Sequence, residues 1–328
     1  MLKILFTAVL LISSLFAKET LTIYTYNSFA ASWGPAPLIK KAFEKKYDCN
    51  LTFVATNSAI GAFRKVQLEG KNTKADIVLG LDTNTVELAR RSGLFAKHHT
   101  DTSKLSLPIK WSDDTFAPFD YSYFAFVYDS NKTKNAPTSF DELANMPKNF
   151  KIVIEDPRSS SPGLGLLLWV KATYKDKAET YWKKLSPHIL TITKSWSEAY
   201  NLFLKGEADM VLSYTTSPAY HMIEEKKYNY KTANFKAGHY AQIETAGILK
   251  SSKHKELANK FLDFMLSDEF ANIIPTTNWS YPVIKTKKGL PKAFSKLYVP
   301  SKMILIDGKI VEKNRKTYIN EWLKALAR

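Results

Sequence analysis

The sequence has little that would hold it together by covalent bonds or anchor it within a membrane. It contains one cysteine, Cys49, in 328 residues, so it forms no internal disulfide, and its stability must come from core burial. After residue 17, no segment approaches the run of ~20 apolar residues that a membrane span needs. No internal repeat or low-complexity linker is visible. With 45% apolar and 24% charged residues, the composition is that of a globular protein.

Long runs of like charge are also missing, although the formal net charge is +16. An excess of basic over acidic residues is common in proteins that bind nucleic acids or anionic membrane surfaces. However, lysines alternate with acids, as in IKKAFEKKY (39–47) and IEEKKYNYK (223–231), and no run reaches five like charges. This pattern is typical of solvated helix faces, and we expect no nucleic-acid partner.

The first seventeen residues differ from the rest of the chain. Lys3 supplies a positive start, residues 4–16 are largely apolar, and the small residue Ala17 precedes Lys18. This order predicts a signal peptide over residues 1–17 with cleavage after Ala17. No cysteine lies near the predicted cut, so a lipid anchor is not indicated. We therefore predict an exported, periplasmic protein.

Strands and helices alternate along the rest of the chain. Apolar runs predict strands at 21–26, 51–55, 75–80, 151–154, 189–193 and 208–213, and longer strands at 115–129 and 240–249. Helical periodicity is found at 35–46, 60–69, 83–92, 138–145, 163–174, 177–185, 196–205, 254–266 and 312–327. Such alternation favours βαβ units around a largely parallel sheet.

The two longer strands are the basis of a domain prediction. Long strands in two-lobed proteins often cross from one lobe to the other. We therefore predict an α/β fold with two lobes, each a mixed, mostly parallel sheet flanked by helices. Lobe 1 comprises residues 18–118 and about 241–285, and lobe 2 comprises residues 119–240 and about 286–328.

Large rings occupy a position where a turn is normally polar. The segment YTYNSFAASWGP (24–35) follows the first strand and precedes a helix, yet it contains Tyr26, Phe29 and Trp33. In open α/β sheets, ligands bind beyond the carboxyl ends of the strands. Phe29, among alanines, is expected to fill the core under the turn, whereas Tyr26 and Trp33 are predicted to form one wall of a cleft.

Polar side chains follow three further strands. Ser58 lies at a predicted helix start, and Asp82 precedes another helix, where capping is favoured over ligand contact. The segment EDPRSSSPGLG (155–165) places Ser160 and Ser161 before Pro162, at a helix N-terminus that attracts anions. Anion binding and simple capping by either serine remain open. The segment is not a P-loop, because no GKS or GKT follows the glycines.

Rings and hydroxyls recur in the later loops. SYTTSPAYH follows an apolar strand and offers Tyr214, Ser217 and Tyr220, while Trp196 starts a helix and Trp279 lies in a polar loop. One aromatic loop residue usually fills a core, but four loops with this pattern favour a shared aromatic cleft. Such a cleft suits a flat, π-bearing or cationic ligand, with the hydroxyls orienting its polar groups.

Several long segments together resemble one known family, the periplasmic thiamine-binding proteins, which are the solute receptors of bacterial ABC importers. The resemblance covers nearly the whole mature chain, and it rests on YTYNSFAASWGP, GKNTKADIVLGLD, DTFAPFDYSYFAFVYD, DPRSSSPGLGLLLW, WSEAYNLFLKGEADMVLSYTTSPAYH and NWSYPV. It implies a type II periplasmic binding fold and, as ligands, thiamine, thiamine monophosphate and thiamine diphosphate. It also implies an inner-membrane ABC permease as partner, and we expect a monomer with no cofactor and no metal.

The resemblance also implies a set of ligand contacts. Together with the loop hydroxyls, the predicted ligand-binding residues are Tyr26, Trp33, Ser58, Ser160, Trp196, Tyr214, Ser217, Tyr220 and Trp279. One departure concerns the second loop, which in the family can carry an acid followed by glycine and here reads Asn57-Ser58-Ala59. The positive charge of the ligand then depends on the rings, or on an acid elsewhere such as Asp82 or Asp156.

Three other functions are weighed against this receptor. Thiaminase I resembles the same fold and uses a cysteine nucleophile, but Cys49 precedes the second strand, at the wrong end of the sheet for a cleft. A ferric-ion receptor would use Tyr214 and Tyr220 as ligands, but such sites usually pair adjacent tyrosines with a histidine or a bound anion. Here the two tyrosines are six residues apart, and the six histidines do not cluster near them in the sequence. A polyamine receptor would need a cleft rich in carboxylates. We therefore predict a receptor that closes about a hinge, not an enzyme.

Overall fold

The computed structural model describes residues 18–327, so the predicted signal peptide lies outside the described residues. The strands are β1 (Thr20–Tyr26), β2 (Asn50–Thr56), β3 (Ile77–Asp82), β4 (Phe116–Asp129), β5 (Ile152–Glu155), β6 (Ile189–Thr193), β7 (Met210–Tyr214), β8 (Tyr230–Thr232), β9 (His239–Ile248), β10 (Tyr281–Pro282) and β11 (Met303–Ile304). Each predicted strand is present, with its ends moved by two residues or fewer.

Twelve labelled α-helical segments lie between the strands of the described chain. They are α1 (Asn27–Ala30), α2 (Ala36–Tyr47), α3 (Ala59–Glu69), α4 (Val86–Arg91), α5 (Phe140–Ala144), α6 (Ser161–Tyr174), α7 (Ala178–Leu185), α8 (Trp196–Leu204), α9 (Pro218–Tyr220), α10 (Lys255–Met265), α11 (Asp268–Thr277) and α12 (Gly308–Leu326). A π-helical turn, His221–Glu225, continues α9. Within residues 18–327, no helix combines the length and the apolar character that crossing a membrane requires.

Two of the longer helices differ most from the prediction, for identifiable reasons. Helix α11 is not predictable from the sequence pattern, because Pro275 lies inside it and proline normally ends a helix. Its start is set by Ser267, whose hydroxyl accepts a hydrogen bond from the Phe270 N–H. Helix α12 begins four residues earlier than predicted, because the Asp307 carboxylate accepts hydrogen bonds from the Lys309 and Ile310 N–H groups.

The strands form one continuous mixed sheet with the order β2-β1-β3-β9-β4-β7-β5-β6. Strands β1, β2 and β3 are parallel to one another, and so are β5, β6 and β7. The central strands β4 and β9 are antiparallel to each other. Strand β8 and strand β10 pair with β4, and β11 pairs with β9. The fold is therefore an α/β fold with a mixed sheet, as predicted, in which a set of three parallel strands lies on each side of the antiparallel central pair.

Strand β4 links the two halves of the sheet. Its first part, as far as Tyr123, pairs with β9, and from Phe124 onward it pairs with β7. Separate apolar cores lie on the two sides: one contains Phe43 and Phe261 beside β1, and the other contains Trp169 beside β5. This arrangement is that of two lobes joined by crossing strands, whereas the exact lobe boundaries stay a prediction.

Glycine allows helix α6 to lie very close to strand β4. A Cβ atom at Gly165 would come within 2.0 Å of the Phe124 ring, which is fully buried. The close approach places the N-terminus of α6, with its serines, beside the carboxyl end of β7. The packing of this helix therefore positions one edge of the cleft described next.

Candidate ligand-binding cleft

A cleft of about 670 Å³ lies at the carboxyl ends of the strands, above the central pair β4 and β9. All nine of the ligand-binding residues predicted from the sequence line it: Tyr26, Trp33, Ser58, Ser160, Trp196, Tyr214, Ser217, Tyr220 and Trp279. The structure thus brings the nine residues together. Their contact with a ligand stays a prediction.

The first wall of the cleft comes from the turn after β1. The Tyr26 ring lies over Gly80, and its hydroxyl donates a hydrogen bond to Glu244 Oε2 at 2.8 Å. Trp33 lies at the rim with 54% of its surface exposed. Phe29 is fully buried and packs edge-on against Phe119, so its predicted place in the core is confirmed. The rings of this turn are therefore divided between the core and the cleft.

The opposite wall is held by a chain of hydrogen bonds. The Trp196 Nε1–H donates to Ser213 Oγ at 2.8 Å, and that hydroxyl lies 2.7 Å from Ser217 Oγ. Ser217 Oγ also accepts a hydrogen bond from the Tyr214 N–H. The indole of Trp196 stacks on Tyr200, with the ring centroids 5.0 Å apart. One face and the N–H edge of this indole are therefore held in place by the protein before any ligand binds.

The third side of the cleft carries the Tyr220 and Trp279 rings, which meet edge to face at 5.3 Å. Trp279 has a φ of 55°, the left-handed region that is rare for residues other than glycine. Its N–H donates to the Ile274 carbonyl at the end of α11, which closes the helix. A strained backbone therefore holds the Trp279 ring at the cleft.

The serine loop presents a helix N-terminus to the cleft. Ser160 precedes α6 and is 4% exposed, and within the described chain its hydroxyl makes no capping hydrogen bond to that helix. Ser160 thus occupies the N-cap position of α6 without a side-chain capping hydrogen bond, while capping by Ser161 and anion binding stay predictions. Ser159, its neighbour, instead donates its hydroxyl to the Lys194 carbonyl. Ser160 and the start of α6 are free to face an anionic group.

Ser58 has a role of its own in the fold. Its hydroxyl accepts a hydrogen bond from the Gly61 N–H and so caps helix α3. The serine also lines the cleft. Ser58 therefore both caps helix α3 and forms part of the cleft wall.

The floor of the cleft contains two carboxyl groups that are not among the residues predicted from the sequence. Asp120 on β4 and Glu244 on β9 are direct cross-strand neighbours, with 1% and 8% of their surfaces exposed. Asn278 Nδ2 donates to Asp120 Oδ2 at 2.5 Å and lies 3.4 Å from Glu244 Oε2. Burial raises the pKa of both carboxyl groups, and the charge of Asp120 raises the pKa of Glu244 further.

Two more polar side chains share this face of the central strands. Gln242 lies two residues before Glu244 on β9, opposite Ser122 on β4, so all four side chains are on one face. Gln242 is 3% exposed, and its Oε1 has no hydrogen-bond partner among residues 18–327. The Ser122 hydroxyl forms hydrogen bonds with the hydroxyl groups of Thr216 and Ser280. The floor is therefore rich in hydrogen-bond acceptors.

The acids that the sequence suggested as charge partners lie elsewhere. Asp82 is fully buried in the fold, where it accepts hydrogen bonds from the Asn84 N–H and the Thr85 hydroxyl. It secures the turn before α4, whose N-cap position belongs to Thr85. Asp156 forms an ion pair with Arg158, whose guanidinium lowers the pKa of that carboxyl group. Neither acid reaches the cleft lining.

Cys49 lies in the turn between α2 and β2, at the amino end of the parallel strands, as predicted. Its side chain is 4% exposed and belongs to the apolar core beside β1. Burial raises the pKa of the thiol, which disfavours the reactive thiolate. Among residues 18–327, no group of three or more His, Cys, Asp or Glu side chains is placed to hold a metal ion.

Comparison with known proteins agrees with this architecture. The profile of a family described as bacterial extracellular solute-binding protein matches residues 32–272. The chain belongs to this family. It is 52% identical over 313 residues to a thiamine-binding periplasmic protein of Escherichia coli strain K12, and 51% identical to its counterpart in Salmonella typhimurium strain LT2. Each alignment covers 95% of both chains.

A solved structure described as a periplasmic thiamin binding protein matches this member of the solute-binding family with a TM-score of 0.92. The two sequences are 51% identical, and the match covers 95% of this chain and 97% of the other. The resemblance predicted from the sequence is therefore confirmed. So is the two-lobed fold class of type II periplasmic binding proteins.

Proposed function

We propose that the protein is a periplasmic receptor that binds thiamine, and its mono- and diphosphate esters, in the cleft between its two lobes. The observation that carries the proposal is a single cleft with aromatic side chains on both walls and buried acceptors on its floor. Relatives that are about half identical over nearly their whole length are named thiamine-binding periplasmic proteins. Export by the predicted signal peptide, cleaved after Ala17, would place the receptor in the periplasm.

The rings supply the affinity for a flat cation. Thiamine joins an aminopyrimidine to a positively charged thiazolium, and both rings can lie against indole or phenol faces. Each stacked pair contributes ~0.5–1.5 kcal/mol beyond burial, and a desolvated cation over a ring about 2 kcal/mol. Trp196 on one wall and Trp279 on another are held in place without a ligand, which lowers the entropic cost of binding.

The serine loop is the proposed site for the phosphate of the esters. The N-terminus of α6 combines free N–H groups with the positive end of the helix dipole. The Ser160 hydroxyl lies there and is not occupied by capping. A phosphate at this position would also receive hydrogen bonds from the loop.

The proposed mechanism is closure about the central strands. Because β4 pairs with β9 in one half and with β7 in the other, a small twist in β4 changes the angle between the lobes. A ligand that contacts both walls stabilises the closed form by its differential contacts. The closed form then delivers the ligand to an inner-membrane ABC permease. The protein acts as a monomer, without cofactor or metal and without catalysis, consistent with a buried Cys49.

Calorimetric titration with thiamine, its two phosphate esters and ferric ion tests the proposal. We expect saturable binding of one thiamine per chain and of both esters, and no visible absorption band with ferric ion. Tight ferric binding with a tyrosinate band would favour the iron receptor instead. Turnover of thiamine in the presence of aniline, abolished by Cys49→Ser, would show an enzyme.

Replacing Ser160 with alanine tests the phosphate site. We expect Ser160→Ala to weaken binding of thiamine monophosphate by about tenfold, because a hydrogen bond to a charged group contributes ~1.5–3 kcal/mol. Binding of thiamine itself should change by less than about twofold. Calorimetry with the two ligands gives both numbers.

Ser159→Ala is the matched control for this variant, since that hydroxyl belongs to the same loop but donates to the Lys194 carbonyl. It should leave the ratio of the two affinities unchanged. An equal loss for thiamine and for its monophosphate in Ser160→Ala would contradict a phosphate site at this loop.

A further inference from the structure

We propose that Asp120 and Glu244 form a cation subsite on the cleft floor that holds one shared proton when empty and releases it when the ligand's positive charge arrives. This inference rests on the proposed function, because the cation it considers is the thiazolium of thiamine. The two carboxyl groups would balance the positive charge of the ligand, which the loop after β2 cannot do because its residues Asn57-Ser58-Ala59 include no acid.

The register of the central strands creates the subsite. Asp120 and Glu244 are directly opposite each other on β4 and β9, so their carboxyl groups share one face at cross-strand distance. The Tyr26 hydroxyl donates to Glu244, and Asn278 Nδ2 donates to Asp120 and reaches Glu244. These two donors hold the carboxyl groups in place but neutralise neither of them.

An independent observation on the same face also points to a ligand. Gln242 is 3% exposed, and its Oε1 is buried with no hydrogen-bond partner in the described part of the chain. A buried acceptor without a donor costs about 1–3 kcal/mol. Together with the two carboxyl groups, it gives the floor several acceptors, which suit a ligand that carries a positively charged ring and a separate amino group.

The surroundings of the pair favour one shared proton. The titratable groups that face it are Tyr26 on β1, Asp82 on β3 and Tyr214 on β7, and these are neutral or negative. From the segment after α11, the facing groups are Asn278 and Ser280, which carry no charge. Two buried carboxylates side by side repel each other, so the pair as a whole keeps a proton to a higher pH than an ordinary carboxyl group.

A bound cation reverses this preference. The thiazolium nitrogen is quaternary, so its charge is the same at every pH. Placed beside the pair, it favours the doubly ionised form, and the carboxyl O–H bond breaks with transfer of the proton to solvent. Thiamine should therefore bind more tightly as the pH rises through the range in which the empty pair titrates, by up to about tenfold per pH unit.

Calorimetric titration with thiamine in two buffers of different ionisation enthalpy measures the proton directly. Near pH ~6.5, above the ordinary carboxyl range, we expect the apparent enthalpies to differ by an amount that corresponds to release of up to about one proton per ligand. The affinity should rise with pH between about pH 5 and pH 8. Binding with equal enthalpies in the two buffers would overturn the proton inference while leaving the receptor intact. No binding at all would instead overturn the proposed function.

Isosteric variants assign the proton to this pair. Asp120→Asn and Glu244→Gln should each abolish the buffer dependence and weaken thiamine binding by about tenfold, since one acceptor charge is lost. Glu155→Gln is the matched control: both carboxyl oxygens of Glu155 are buried without a hydrogen-bond partner among the described residues, but it does not line the cleft. It should retain the proton release. Release that persists in both cleft variants, or is lost in the control, would overturn the assignment.

Discussion

Replacing Trp279 with glycine is expected to weaken thiamine binding at least about tenfold, because a ring facing a cation contributes ~2 kcal/mol. The free energy of unfolding should stay within about 1 kcal/mol of the starting value, since glycine adopts a φ of 55° without strain and offsets the lost packing against Tyr220. Calorimetry and urea denaturation measure the two quantities. Trp279 is a sharper test than Tyr214, which also packs on buried Phe124.

Trp279→Ala is the matched control, since it removes the same ring but keeps a Cβ atom in the left-handed region. It should bind thiamine as weakly as the glycine variant, yet be less stable than that variant by about 1 kcal/mol. Unchanged affinity in both variants would show that the Trp279 ring is not part of the binding site. Equal stabilities would show that the backbone of this residue stores no strain.

Gly80→Ala is expected to lower the free energy of unfolding by about 2–4 kcal/mol and to weaken thiamine binding by about tenfold. Gly80 has a φ of 103°, and a Cβ atom there would come within 2.5 Å of the Tyr26 ring. The ring must then move, and its hydroxyl loses the hydrogen bond to Glu244. Thermal or urea denaturation and calorimetry measure the two effects.

Gly93→Ala separates the backbone effect from the steric one. Gly93 also has a positive φ, 70°, but no atom lies within 4 Å of the position its Cβ would take. This control should lose about 1–2 kcal/mol of stability and bind thiamine normally. If Gly80→Ala also bound thiamine normally, Tyr26 would have no role in the cleft wall.

The walls of the cleft were predictable from sequence because local signals mark them. The residues Tyr26, Trp196 and Tyr214 come at the ends of apolar strands or the starts of helices, where parallel strands bring their loops to one edge. Large rings at such positions conflict with the usual polarity of turns. The alternation of strands and helices likewise predicted the α/β sheet and its crossing strand β4.

The floor was not predictable in the same way. Asp120 and Glu244 are 124 residues apart, and only the pairing of β4 with β9 makes them neighbours. Each acid interrupts a long apolar strand, which is the one local signal that marks them, since a buried acid needs a partner. Asn278, which bridges them, follows a helix hidden by Pro275. Long-range register therefore defines the part of the site that local patterns miss.

The crystal structure of the complex with thiamine tests the central claim most directly. We predict that both rings of the ligand lie in the cleft, against the side chains of Trp196 and Trp279, with the positively charged thiazolium next to Asp120 and Glu244. Well-defined thiamine outside the cleft, or thiamine inside it with the thiazolium directed away from the two carboxyl groups, would contradict the account.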